Sequence, residues 1–179
     1  MLLKIPAAFV AATLLVCGCA APDRYYRLSG PAMPDTQATG APTGIGPVSI
    51  PAYIDRPELV FESSSGELQV PEGHRWSGSL KDEVTRVLTA GVQAARPNTS
   101  VVAYPWPLGT ALARHIPVTI TELHARSGEG VTLSATWNIG NTQRRAAIQQ
   151  PIVGDGYAAI TDAQSLALEL LARRIAASY

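Results

Sequence analysis

Two cysteines and three histidines are the side chains in this chain best suited to nucleophilic or metal chemistry. Neither set is spaced for it. His74, His115 and His124 lie far apart, with no HxxxH pattern, and Cys17 and Cys19 have no CxxC partner pair, so no metal site is expected. The serines around Ser63 and Ser77 sit in no GxSxG context, the strained elbow that presents a nucleophile. Gly44-Ile45-Gly46 is too short for a dinucleotide fingerprint and precedes a strand instead of following one. No GxxxxGK[ST] loop is present to cradle a nucleotide phosphate. Glu58, Glu62 and Glu67 could supply an acid/base pair, but beside a predicted hairpin they read as a solvated face. The chain is therefore expected to be no enzyme, to need no cofactor and to hold no metal.

The totals narrow the class further. Lys plus Arg number 14 and Asp plus Glu number 14, which leaves none of the positive excess that a nucleic-acid-binding domain presents to phosphates. An apolar content of 46% with 16% charged residues is enough to build a core. Two cysteines, both near the start, cannot staple a disulfide scaffold.

Those cysteines suit a different chemistry. Residues 1–18 have a short basic start at Lys4, an apolar run from Ala7 to Val16 and small residues after it, the pattern of a secretory signal peptide too short to span a bilayer. Val16-Cys17-Gly18-Cys19 fits a bacterial lipobox, with small Gly18 before the cysteine to be acylated; bulky Val16 makes Cys17 the poorer candidate. An ordinary signal peptide with a free exported cysteine is the alternative. Acylation at Cys19 is the reading adopted, and several acyl chains at about 0.8 kcal/mol per buried methylene hold a protein stably on a membrane. Ala20, where an inner-membrane protein usually carries Asp, favours routing to the outer membrane.

The elements that would stand on this anchor follow from periodicity. Residues 19–46 carry Pro22, Pro31, Pro34 and Pro42 with little aliphatic pattern, and read as a flexible tether, except for Tyr25-Tyr26-Arg27-Leu28, a short strand or docking segment. Residues 47–179 form the folded domain. Val48 and Ile50 make a first strand, and the runs at 59–61 and 68–70 a hairpin. Leu80, Val84, Val87, Leu88 and Val92 recur at helical spacing behind Ser79 as N-cap, with Lys81, Asp82, Glu83, Arg86 and Gln93 on the other face and Pro97 as the stop. Segments 117–126, 130–139 and 142–150 alternate apolar and polar residues between Gly-containing turns, an antiparallel meander. A last helix opens at a capping box, Thr161-Asp162-Ala163-Gln164, and is apolar around most of its circumference, which leaves self-association open. The class expected is α/β, or α+β: one layered domain, a mixed sheet with an antiparallel meander and two main helices.

The remaining candidates are surface aromatics near turns. His74-Arg75-Trp76 precedes the first helix and Tyr104-Pro105-Trp106-Pro107 follows it, so both are expected on one side of the domain. Arg, Tyr and Trp dominate protein–protein contacts, which makes Arg75, Trp76, Tyr104 and Trp106 candidate partner-binding residues. Trp76 could equally staple the start of the helix, and Trp106 could cap an edge of the core. Trp137 belongs to an alternating apolar face and is assigned to the core.

Taken in order, Tyr26-Arg27-Leu28 after a candidate lipidated cysteine, Val48…Ile50-Pro51…Tyr53-Ile54-Asp55-Arg56-Pro57, His74-Arg75-Trp76, Tyr104-Pro105-Trp106, the Trp137 strand and the Ala/Leu-rich last helix resemble the PqiC/YmbA family of auxiliary lipoproteins of ABC-type and MCE-type lipid transport systems. The resemblance spans nearly the whole mature chain. It implies an outer-membrane lipoprotein on the periplasmic face, held by its N-terminal lipid. The implied partners are a periplasmic MCE-domain subunit and an inner-membrane subunit, and the implied role is lipid movement between membranes in support of envelope integrity. A lipid-binding lipoprotein acting on its own is the alternative.

Overall fold

A computed structural model describes residues 22–33, 38, 40–126 and 129–179. The signal segment, Cys17 and Cys19 lie outside these residues. The sheet is built around β2 (Thr43–Ser49), which pairs in parallel with β6 (Val101–Ala103) on one edge and β7 (Arg114–Arg126) on the other. β7 pairs antiparallel along its length with β8 (Gly130–Ile139), and β8 with β9 (Thr142–Gln150), the expected meander. The far end of β7 meets β3 (Phe61–Glu62), which forms the expected hairpin with β4 (Leu68–Gln69). A separate parallel pair joins β1 (Arg24–Tyr26) to β5 (His74–Trp76).

Two helices, α1 (Leu80–Ala95) and α2 (Gly156–Ala176), lie side by side on one face of the sheet. α1 starts as the sequence predicts: the Ser79 hydroxyl accepts from the Asp82 amide at 3.3 Å, and Val84, Val87, Leu88 and Val92 are buried. From the sheet, Ile116, Val118, Ile120, Leu133, Ala135 and Trp137 point into the same core, while Thr132, Ser134 and Thr136 alternate outward. The result is a single α/β domain with a mixed sheet and two helices. Among the described residues no helix is long and apolar enough to cross a membrane.

Three sequence expectations are corrected. The expected tether is, where described, part of the fold beyond the Tyr25–Leu28 segment, which the sequence itself sets apart as a short strand or docking segment. β1 is hydrogen-bonded to β5, and Leu28 is 2% exposed. The Leu28 carbonyl accepts from the Arg86 guanidinium, and the Ser29 amide donates to Ser165 Oγ at 2.9 Å. Gly30 lies against Val87, Pro31 against the groove between α1 and α2, and Met33 reaches the far side of α1, so residues 27–33 cross the helix layer as a strap. Composition hid this because the strap is fixed by a single deep apolar side chain and by backbone hydrogen bonds, neither of which leaves a periodic pattern. β2 likewise begins at Thr43, within the expected tether.

α2 starts five residues before Thr161. Asp155 takes the N-cap place, and Thr161 lies inside the helix, its hydroxyl donating to the Ala158 carbonyl at 2.9 Å. The earlier turn is held by Tyr157, whose ring packs on His74 (centroids 3.9 Å apart) and on Phe61 and Tyr26. Gln93, placed by periodicity on the polar face of α1, is fully buried. Its amide donates to the Thr99 carbonyl at 2.8 Å and accepts from the Val101 amide at 2.9 Å, satisfying the turn into β6.

Candidate docking surface

The loop after β6 is positioned by the glycines of β2. The Tyr104 amide donates to the Ile45 carbonyl at 2.9 Å, which carries the β2–β6 pairing one residue past the strand. Gly46 stands at φ +117°, a conformation that side chains rarely adopt, and the parallel register breaks between Ile45 and Val48. A Cβ at Gly46 would lie 2.6 Å from the Tyr104 Cβ, and one at Gly44 would lie 2.9 Å from the Trp106 ring and from Leu112. The Gly44-Ile45-Gly46 pattern thus exists because two aromatic residues sit on that strand, which is the physical content of a motif that sequence reading could only reject as a nucleotide fingerprint.

Tyr104 and Trp106 meet edge-to-face, ring centroids 5.1 Å apart at 83°. Tyr104 is about half exposed and Leu108 fully so. Trp106 is half-buried: the flanking prolines do not hold it clear of the domain, because Gly44 leaves room for its ring on the sheet. Beside this corner runs a groove of about 580 Å³ between α1 and β6, walled by Thr85, Arg86 and Thr89 on one side and Val101–Ala103 on the other, with Met33 and Tyr104 at its rim.

The other two candidates separate from this corner. Trp76 is 5% exposed and belongs to the core, buried where its neighbours on β5 are only half-buried. Arg75 is partly exposed but engaged, with Glu58 at 3.3 Å. Glu58 also accepts from Arg56 at 2.9 Å, and these contacts, led by the Arg56 hydrogen bond, hold its carboxyl below the usual range. Arg75 and Trp76 line a second cleft with Tyr25 and Arg56 beside the first turn of α1, and the Tyr104 groove follows the same helix up to Asp82. Both aromatic segments therefore flank the N-terminal half of α1. Sequence reading missed Met33, Thr85 and Thr89 as groove residues, since Met33 fell in the expected tether and the α1 pattern marks the two threonines only as polar.

The titratable residues elsewhere form ties between strands. Glu62 is not a solvated carboxylate: it accepts from Arg126 at 2.7 Å and lies 3.2 Å from His124 Nε2, joining β3 to β7. His124 Nδ1 is 3.5 Å from Glu122, which in turn accepts from Ser134 at 2.8 Å. Beside them Tyr53 is raised above its usual phenol pKa, by burial first. Among the described residues no group of His, Cys, Asp or Glu is arranged to hold a metal ion.

A single layered α/β domain with an aromatic corner beside a groove is the class of protein this fold and surface define. A family model described as the ABC-type transport auxiliary lipoprotein component matches residues 26–176, and the chain belongs to that family. The match begins within β1, which agrees with the strap being part of the domain. No curated protein matches. A crystal structure of an uncharacterized protein shares the fold at TM-score 0.72 with 20% identity, over 88% of this chain and 98% of that one. Protein XCC0632 from Xanthomonas campestris, of family DUF330, superposes at TM-score 0.59 with 16% identity, over 85% and 92%. The role is therefore that of an auxiliary lipoprotein of an ABC-type transport system.

Proposed function

We propose that the protein is the outer-membrane lipoprotein subunit of an MCE-type intermembrane lipid transport system. In this reading Cys19 carries the acyl chains, the domain faces the periplasm, and the Tyr104–Trp106 corner with its groove docks the periplasmic MCE-domain subunit, which connects to the inner-membrane subunit. The role is structural and not enzymatic. The observation that carries the docking surface is the paired aromatic corner: Tyr and Trp side chains held rigidly by Gly44 and Gly46 beside an apolar groove are the features of a contact hot spot. Family membership supports the transport role.

Affinity capture of the MCE-domain subunit from detergent-solubilised membranes by the tagged full-length chain tests it. Tyr104→Ala and Trp106→Ala should each weaken capture by roughly tenfold or more, as loss of a hot-spot aromatic costs about 2 kcal/mol. Arg75→Ala, whose side chain is tied to Glu58, should change capture little. Unchanged capture by both aromatic variants would remove this corner as the docking surface. Native mass spectrometry of the purified domain checks the alternative of an independent lipid carrier, which requires co-purifying phospholipid.

A further inference from the structure

The strap that replaces the expected tether fixes how far the domain can stand from its anchor. β1 begins at Arg24, whose amide donates to the Gly73 carbonyl at 2.7 Å. Only five residue steps separate Cys19 from Arg24, and an extended chain covers at most ~3.6 Å per step, so the acylated cysteine lies within about 18 Å of Arg24 and, adding the spacing of about 5 Å between paired strands, within about 23 Å of Gly73. A tether ending near residue 46 would have allowed several times that reach.

Two of the few large apolar side chains left exposed sit inside this radius, on the hairpin leading to Gly73. Val70 is 43% exposed and three residues from Gly73, hence within about 11 Å of it along the chain; Leu68, on β4, is 49% exposed. Tyr25, next to the anchored Arg24, is 64% exposed, and tyrosine is a residue favoured at the membrane–water boundary. Glu67 and Glu72 flank the hairpin residues, so the patch suits contact at headgroup depth and not insertion into hydrocarbon.

Resting on the reading that Cys19 is acylated, we infer that the β3–β4 hairpin, through Leu68 and Val70, together with Tyr25 on the anchored strand β1, is the membrane-contacting surface of the domain, and that its occupant is the phospholipid headgroup layer. The short leash holds this end against the bilayer, and the apolar exposure there is covered by lipid.

The test uses the full-length lipidated protein in vesicles of phosphatidylethanolamine and phosphatidylglycerol at 3:1. Signal cleavage removes Cys17 and acylation blocks Cys19, so a single introduced cysteine takes a fluorophore specifically. Val70→Cys, with Leu68→Cys as the second position, is compared with Gln143→Cys on β9, at the end of the sheet remote from β3. Quenching by lipid doxyl-labelled near the headgroup should be roughly twofold or more stronger at 70 and 68 than at 143. Equal quenching at all three sites overturns the inference, as does shielding of residue 70 by another protein copy without lipid quenching. Mass spectrometry of the N-terminal peptide separates the two readings: an unmodified Cys19 removes the anchor and this inference together, whereas acylated Cys19 with no quenching at 70 removes this inference alone.

Discussion

Leu28→Ala is the perturbation that separates a strap from a tether. Leu28 is 2% exposed and lies in the core with the residues of α1. Truncating a side chain buried to this degree removes its transfer free energy and leaves a cavity, together about 3 kcal/mol. For a domain of this size each kcal/mol shifts the melting midpoint by about 2–4 °C, so a fall of roughly 6–12 °C is expected in a thermal melt followed by circular dichroism. Met33→Ala is the matched control: the same strap, but a side chain 52% exposed, and a shift within about 0.5 kcal/mol. The partner contact gives an internal check. Arg86→Met removes the guanidinium that donates to the Leu28 carbonyl, so the Leu28→Ala and Arg86→Met effects should be less than additive. A midpoint for Leu28→Ala equal to that of Met33→Ala would refute the reasoning, because a flexible tether loses nothing when one of its side chains is shortened.

Other consequences follow from close contacts and buried polar groups. A Cβ at Gly91 would meet the Ala172 Cβ at 2.6 Å, so Gly91→Ala should lower stability by about 1–2 kcal/mol despite its better helix propensity; adding Ala172→Gly should recover part of the loss in a double-mutant cycle by urea denaturation. Gln93→Leu strands the Val101 amide and the Thr99 carbonyl, and should cost about 3 kcal/mol in the same assay, whereas a solvated glutamine would cost almost nothing. Tyr179 is raised above the usual phenol value of 10.0, by burial chiefly, against the lowering effect of Arg96 and Arg114. A raised folded value gives stability that is complete below the unfolded pKa and lost as pH climbs through the folded one. The melting midpoint should therefore drop above pH 10, less steeply in Tyr179→Phe; an identical slope in the variant would contradict this. Trp76 and Trp137 are buried, so acrylamide quenching of tryptophan emission should come mainly from Trp106 and vanish in Trp106→Phe.

What could be read before the fold was known followed from periodicity. The α1 stripe, its Ser79 cap, the three-strand meander and the core position of Trp137 are all local patterns that repeat with the period of their element. What could not be read was set by tertiary contact. Tyr25–Leu28 stood out as a strand or docking segment, but the continuation to Met33 did not, because its course is decided by helices that lie about fifty residues or more on. Thr161 carries a good cap signal, but the Tyr157 ring stack moved the helix start upstream. Gln93 looks polar from its type, and only the turn into β6 shows why a buried amide is needed there. Of the candidate site, Tyr104 and Trp106 were legible as aromatic residues in a Pro-bounded corner. Their seat on Gly44 and Gly46, and the groove rim at Met33, depend on the pairing of strands distant in sequence. Arg75 and Trp76 read as contact candidates alongside them, Trp76 with a structural reading beside it; in the fold Trp76 is buried and Arg75 lies against Glu58.

The docking claim is tested most directly by site-specific photo-crosslinking in cells. A photoreactive phenylalanine analogue replaces Tyr104 in the full-length chain, and in a second strain Gln143. The expected result is a crosslinked product between position 104 and the periplasmic MCE-domain subunit, with none from position 143. A complex that forms normally but crosslinks from 143 and not from 104 would contradict the account.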